Sequence, residues 1–134
     1  MITLEQAPLL LRPVREAVWF TKEGLSPDAR TFLLQRGCQI AHLDLDGLEG
    51  AADLFKRLAR VLSFPKYFGY NWDALDEVLA DLELSAEKGL VLVAHSSFEA
   101  WQSESEVMGR LVAAWLLAAE NWVDRNVSLH LVMS

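Results

Sequence analysis

Short apolar runs that favour β-strands alternate with amphipathic segments that favour helices along the chain. The strand-like runs lie at residues 17–20, 38–45, 90–94 and 127–133. Helical patterns fall between them at residues 27–36, 51–62, 72–82, 97–101 and 106–122. Strands separated by helices join the same sheet in parallel, because each connection crosses back over the sheet. The alternation therefore predicts an α/β fold, with a small parallel β-sheet packed by helices.

Several helix boundaries carry their own local signals. Ser26 is a candidate N-cap followed by proline, and Gly37 is a candidate stop for the first helix. Asn71 and Ser97 are candidate N-caps for two later helices. These residues support the predicted alternation independently of hydrophobic periodicity.

A single domain is expected from the length of 134 residues, because a chain of this size buries one core. Charged residues interrupt every apolar stretch before the ~18 residues of a membrane span. The apolar patch at residues 7–11 lacks the flanking features of a signal peptide. We therefore expect a cytoplasmic protein that is a monomer when free and does not contact a membrane.

Cys38 is the single cysteine, so an internal disulfide is impossible. It has no C-x-x-C partner and belongs to no cluster of cysteines and histidines that could bind a metal. We expect a buried thiol at the start of a strand, and we expect no metal and no cofactor.

The charge of the chain is acidic and unevenly distributed. There are 19 acidic and 12 basic side chains, a net charge of −7. This balance argues against a nucleic-acid-binding protein, which neutralises phosphates with clustered lysine and arginine. Six acids lie between Lys66 and Lys88, so 19 minus six leaves 13 acids against 12 bases elsewhere. The local excess predicts a basic protein partner for this segment.

Asp73, Glu77 and Asp81 recur every four residues, so they share one face of the predicted helix, with Asp76 at its flank. Like charges at this spacing cost ~0.2–0.5 kcal/mol per pair, which makes the pattern locally unfavourable. The loop before the helix is crowded with aromatic residues, a composition typical of binding hot spots. A solvated, solubilising face is the alternative interpretation. The predicted partner-binding residues are Tyr67, Phe68, Gly69, Tyr70, Asn71, Trp72, Asp73, Asp76, Glu77 and Asp81.

Residues 65–77 read Pro-Lys-Tyr-Phe-Gly-Tyr-Asn-Trp-Asp-Ala-Leu-Asp-Glu. This segment resembles the P-x-Y-[YF]-G-x-N-x-D-A-L-x-[DE] signature of barstar-like ribonuclease inhibitors. The resemblance extends from about residue 39 to residue 134. We therefore divide the chain into an N-terminal extension at 1–37, which could add one strand to the sheet and pack on the same core, and a barstar-like domain at 38–134.

The resemblance implies an inhibitor rather than an enzyme, whose acidic helix and preceding loop block the active site of a basic secreted ribonuclease. By position, Tyr67 would pack on the rim of the nuclease, Asp73 would pair with its basic residues and Glu77 would be the central anion. A carboxylate suits this role because it accepts paired hydrogen bonds from a guanidinium, as a phosphate does. The host cell would thereby be immune to its own nuclease.

Some positions depart from the family pattern. Glu77 stands where the family has Asp, and Asp76 stands where it has Trp. Asn121 and Arg125 occupy a later helical region that carries an acid in the family, and an arginine there would repel a basic partner. The alternative function is therefore a binding module of the same fold for a different basic protein, such as a non-nuclease toxin or a regulatory partner.

Catalytic candidates are few. His42, His95 and His130 lie on or at the end of three different predicted strands, where structural or surface roles are commoner. The serines at 96–97 lie beside His95 but lack the G-x-S-x-G pattern of a nucleophile elbow. We therefore expect no nucleophilic chemistry here.

Paired carboxylates are the other chemical candidate. Asp44 with Asp46, or Asp73 with Glu77, lack a third residue at the spacing that acid–base or metal chemistry needs. The tryptophans at positions 101, 115 and 122 accompany leucines at helical spacing and are expected mainly in the core.

Overall fold

The computed structural model of the protein describes residues 1–83 and 89–134, and four strands form one sheet in it. The strands are β1 (Val18–Phe20), β2 (Gln39–Asp44), β3 (Gly89–His95) and β4 (Ser128–Met133). Their order across the sheet is β1, β4, β3, β2, and every pairing is parallel. The prediction of an α/β fold with a small parallel sheet is confirmed.

The helices connect these strands as the periodicity predicts. They are α1 (Pro27–Gln35), α2 (Gly50–Val61), α3 (Trp72–Ala80), α4 (Ser97–Ser103) and α5 (Ser105–Val123). A 3-10 helix over Ala7–Leu11 was not predicted. Within the described residues, none of the helices is long and apolar enough to cross a membrane.

Two boundaries differ from the prediction. Ser97 is not the N-cap of α4 but its first residue, because Ser96 takes a left-handed φ of 60° and turns the chain directly from β3 into the helix. The hydroxyl of Ser97 donates instead to the carbonyl oxygen of Ser134, at 2.8 Å. Helix α3 ends at Ala80, so Asp81 and Leu82 lie beyond it.

The sheet separates two hydrophobic layers. Helices α2, α3 and α5 cover one face, where Leu92 and Leu131 are fully buried among their side chains. Helix α1 and the 3-10 helix cover the other face, where they pack on Val91, Val93 and Val132. The central strands β3 and β4 are buried along nearly their whole length, as expected for a parallel sheet covered on both sides.

The N-terminal extension contributes both a strand and a covering layer. Strand β1 pairs with β4 at one edge of the sheet, so the predicted additional strand is present.

Cys38 is buried just before β2, and burial raises the pKa of its thiol to about 11, although a backbone hydrogen bond with Val91 opposes the shift. This thiol is therefore unreactive at neutral pH.

Candidate partner-binding surface

The loop before α3 is anchored by one buried aromatic side chain. Phe68 lies in the core, where its ring contacts Phe55, Phe64 and Tyr70. Its neighbours point outwards: Tyr67 is 80% exposed and Tyr70 is 51% exposed. Phe68 therefore fixes the position of the loop from inside, while the two tyrosines are accessible to a partner.

Asn71 caps helix α3 as predicted. Its side-chain oxygen accepts a hydrogen bond from the backbone N–H of Ala74 at 2.8 Å, and its amide nitrogen donates to the carbonyl of Gly69 at 3.2 Å. A Cβ at position 69 would lie only 3.3 Å from that amide nitrogen. Glycine is therefore favoured at 69, because a side chain there would press on the cap.

Helix α3 buries one side and exposes the other. Leu75, Val78 and Leu79 face the core, and the indole N–H of Trp122 in α5 donates to the carbonyl of Leu79 at 2.8 Å. Asp73 and Glu77 are exposed on the opposite side. Asp81 is also exposed, but as the C-cap residue rather than as a third position of the helical stripe.

One cleft joins the loop and the helix. It has a volume of about 170 Å³, with Tyr67, Phe68 and Gly69 on the loop side and Ala74, Glu77, Val78 and Asp81 on the helix side. An exposed aromatic ring and two carboxylates thus border a space of roughly the size of one long side chain. This arrangement suits an inserted lysine or arginine, because the ring contacts the aliphatic or guanidinium part and the carboxylates neutralise the charge.

Trp72 and Asp76 face a different cleft, between α3 and α5. Its lining also includes Arg110, Ala113, Ala114 and Leu117. The guanidinium of Arg110 lies 4.6 Å from the centroid of the Trp72 ring. Burial raises the pKa of the Asp76 carboxyl and the nearby Asp73 charge adds to the shift, whereas Arg110 opposes it. The sequence did not identify Arg110 as part of this surface, because Arg110 lies in α5 and reaches Trp72 only through the packing of α5 against α3.

The ten predicted residues therefore do not form one uniform patch. Tyr67, Gly69, Tyr70, Asn71, Asp73, Glu77 and Asp81 are exposed, Trp72 and Asp76 are half-buried, and Phe68 is buried. Within residues 1–83 and 89–134, the ion pair between Arg57 and Asp53 is the only one, so no basic residue of these two ranges lies within 4 Å of the acids of α3 or of Asp81. Glu87 and Lys88, which delimit the acidic run in the sequence, lie outside the described residues.

Arg125 is connected to the C-terminal end of α3 through the Trp122 ring. Its guanidinium is 4.5 Å from the centroid of the Trp122 ring, and that indole is hydrogen-bonded to Leu79. The arginine is exposed. It therefore adds a second positive charge near α3, besides that of Arg110 on Trp72.

The catalytic candidates have structural partners. His42 Nδ1 and His95 Nε2 lie 2.9 Å apart as a hydrogen-bonded pair. His130 is buried between two hydrogen bonds, and the hydroxyl of Ser97 is bonded to a backbone carbonyl. In the described part of the chain, no group of three His, Cys, Asp or Glu side chains could hold a metal ion.

Comparison with models of protein families matches residues 38–134 to the family described as Barstar (barnase inhibitor). The match includes the whole candidate surface and leaves residues 1–37 outside. A search of curated proteins finds no match.

Proposed function

The chain belongs to the barstar family, whose members are barnase-type inhibitors or related binding modules rather than enzymes, and from this premise we propose that it inhibits a basic ribonuclease. The loop at residues 67–70 and helix α3 would enter the nuclease active site. The protein would act in the cytoplasm, where it would protect the producing cell. The observation that carries the proposal is the cleft in which Tyr67 meets Glu77 and Asp81.

Electrostatics supports this assignment. The carboxylates of α3 have no counter-ion within 4 Å in the described part of the chain, so they repel one another, and a basic partner relieves that repulsion. A ribonuclease site presents arginine, lysine or histidine because it binds phosphate, and a carboxylate such as Glu77 can occupy that place. The rigid anchoring of the loop through Phe68 reduces the entropy lost on binding.

The decisive experiment is a pull-down with the full chain from secreted and cytoplasmic fractions of the source cell, followed by an RNA-cleavage assay on the retained protein. We expect a small basic ribonuclease that the wild-type chain silences. Glu77→Ala should weaken binding by ~2 kcal/mol or more, because it leaves a basic group of the partner unpaired. Asp73→Ala should act in the same direction.

Glu5→Ala is the matched control for charge. Glu5 is exposed and belongs to the extension that covers the opposite face of the sheet, so its loss should leave binding unchanged. Equal affinity of the Glu77→Ala and Glu5→Ala variants would reject the site. The variants Asp73→Ala, Glu77→Ala and Glu5→Ala should all unfold at the same denaturant concentration, since none of these side chains is buried.

A binding module for another basic protein is the second candidate, and Arg110 and Arg125 favour it. Both arginines lie next to the acidic helix, stacked on Trp72 and Trp122. Positive charge at these places selects against a strongly basic active site and favours a partner with a mixed surface. Retention of a basic protein that does not cleave RNA, with loss of retention in Glu77→Ala, would establish this alternative.

A further inference from the structure

A third cleft lies outside the carboxyl ends of strands β1 and β4, and it shares no lining residue with the two clefts beside α3. It has a volume of about 570 Å³, and its lining residues are Phe20, Thr21, Lys22, Ser97, Phe98, Trp101, Met133 and Ser134. We propose that this cleft binds a small planar apolar molecule that carries one anionic group. The proposal is independent of ribonuclease inhibition, since it uses none of the residues of the α3 surface.

The position and size of the cleft fit a small ligand. Strand β1 ends at Phe20, β4 ends at Met133, and α4 begins one residue after the end of β3. Open parallel sheets bind ligands in the crevice outside the carboxyl ends of their strands. The volume lies within the range of roughly 300–1,000 Å³ that is usual for small-molecule pockets.

Aromatic side chains determine the kind of molecule that fits. Phe20 is 68% exposed and Phe98 is 70% exposed, although both are large apolar residues. The Phe20 ring lies 6.1 Å from that of Trp101, at an interplanar angle of 50°. A planar apolar ligand would bury these rings and stack against them, which removes apolar surface from water.

Charge complementarity supplies the second requirement. Among the described residues that line the cleft, Lys22 is the one charged side chain, in a protein whose net charge is −7. Glu23 and Glu99 are adjacent in sequence but do not line the cleft. An anionic group on the ligand would pair with Lys22, whereas a cationic ligand would be repelled there.

Hydrogen bonds hold the walls of the cleft in place before any ligand arrives. The backbone N–H of Ser134 donates to Ala94, and both the N–H and the hydroxyl of Ser97 donate to the carbonyl of Ser134, each at 2.8 Å. The hydroxyl of Ser134 donates to the carbonyl of Lys22 at 3.3 Å. These bonds tie β3, α4, β4 and the segment after β1 together, so little ordering remains to be done on binding.

The cleft also gives the N-terminal extension a role. Phe20, Thr21 and Lys22 belong to the extension, and the other lining residues belong to the part that matches the barstar family. The site therefore exists only when the extension is docked on the sheet. A chain that consisted of residues 38–134 alone would lack the Phe20 ring and Lys22, the one cation among the described lining residues.

Fluorescence titration of the full chain with 8-anilinonaphthalene-1-sulfonate, a planar aromatic anion, tests the proposal. We expect saturable binding of one probe per chain. Phe98→Ser should raise the Kd by ~10-fold or more, through loss of aromatic contact. The control Leu34→Ser, which removes an exposed apolar side chain on α1, should leave the Kd unchanged. Because Phe98 and Leu34 are both exposed, both variants should fold, and circular dichroism checks this.

The requirement for an anion is tested separately. Lys22→Gln should raise the Kd of the sulfonate probe by about 2- to 5-fold, as for an exposed ion pair. The same change should leave binding of uncharged N-phenyl-1-naphthylamine unaltered, and Lys66→Gln should affect neither probe. Non-saturable binding, or equal Kd values in Phe98→Ser and Leu34→Ser, would overturn the proposal. So would sedimentation that shows a dimer abolished by Phe98→Ser, because a second copy would then occupy the cleft.

Discussion

The indole Nε1–H of Trp19 donates a hydrogen bond to Nδ1 of His130 at 3.0 Å, and this contact joins the N-terminal extension to central strand β4. The other ring nitrogen of His130 lies 2.8 Å from the carbonyl oxygen of Arg12. Since Nδ1 accepts and Nε2 faces an acceptor, the buried imidazole is neutral with its proton on Nε2. Protonation would remove the acceptor for Trp19 and place a charge in the interior.

Stability should therefore fall in mild acid. Burial lowers the pKa of His130 below 6.5, although the hydrogen bond to Arg12 opposes the shift. The unfolded chain thus binds its proton first as pH falls, so the stability from this site is complete above about pH 6.5 and is lost below it, by at most ~1.4 kcal/mol per pH unit. Urea unfolding at several pH values measures the slope. His130→Gln, which can keep both hydrogen bonds, should flatten it.

His42 also contributes to the dependence of the unfolding free energy on pH, because burial, the neighbouring His95 and Arg30 lower its pKa. The variant His42→Gln therefore provides the comparison for His130→Gln. If the pH dependence of His130→Gln matched that of the wild type while His42→Gln removed it, the buried site would not be the cause.

Leu33→Ala should destabilise the whole protein, although it lies outside the part that matches the barstar family. Leu33 is fully buried against the sheet, and a leucine-to-alanine change in a core costs ~2–5 kcal/mol. The adjacent Leu34→Ala removes an exposed side chain and should cost well under half of that. Chemical unfolding should show a single transition in both variants. Two separate transitions would mean that the extension folds independently of the domain.

Asn71→Ala should lower the unfolding free energy by ~1 kcal/mol through loss of the α3 cap. Asn71→Asp should retain most of the stability, since a carboxylate also accepts the bond from Ala74. Asn121→Ala, at an exposed position of α5, serves as the control and should be neutral. Equal stability of Asn71→Ala and wild type, measured in urea, would contradict the capping role.

Arg125→Glu should accelerate association with a basic partner by roughly 2- to 10-fold at low salt, because it replaces a repulsive charge beside α3 with an attractive one. Arg36→Glu is the control, because it changes the net charge by the same amount and also removes an arginine stacked on an aromatic ring. Arg36 lies 3.9 Å from the centroid of the Phe32 ring, on the other side of the sheet. Stopped-flow kinetics should show a larger effect for Arg125→Glu. Identical effects would mean that only net charge matters.

The association rate of the wild type with its basic partner should fall steeply between about 0.01 M and 0.15 M salt, as the Debye length shortens from ~30 Å to ~8 Å. Asp73→Ala combined with Glu77→Ala should reduce this dependence, since these side chains supply the steering charge. A rate that does not change with salt would indicate an interface governed by apolar contact.

Local sequence determined the regular elements of this protein. Apolar periodicity located every major helix and strand, and the caps at Ser26 and Asn71 form the predicted hydrogen bonds. Spacing of four residues also placed Asp73 and Glu77 on one exposed side of α3. These features depend on interactions between residues a few positions apart, so they can be predicted from the sequence pattern.

Tertiary structure alone decided the contacts between distant segments. Trp19 and His130 are 111 residues apart, and their hydrogen bond depends on β1 docking beside β4. The burial of Phe68 and the approach of Arg110 to Trp72 likewise depend on how distant segments pack. The physical reason is that packing fills space across the whole core, so the exposure of an aromatic or charged side chain is set by residues that lie far away in sequence.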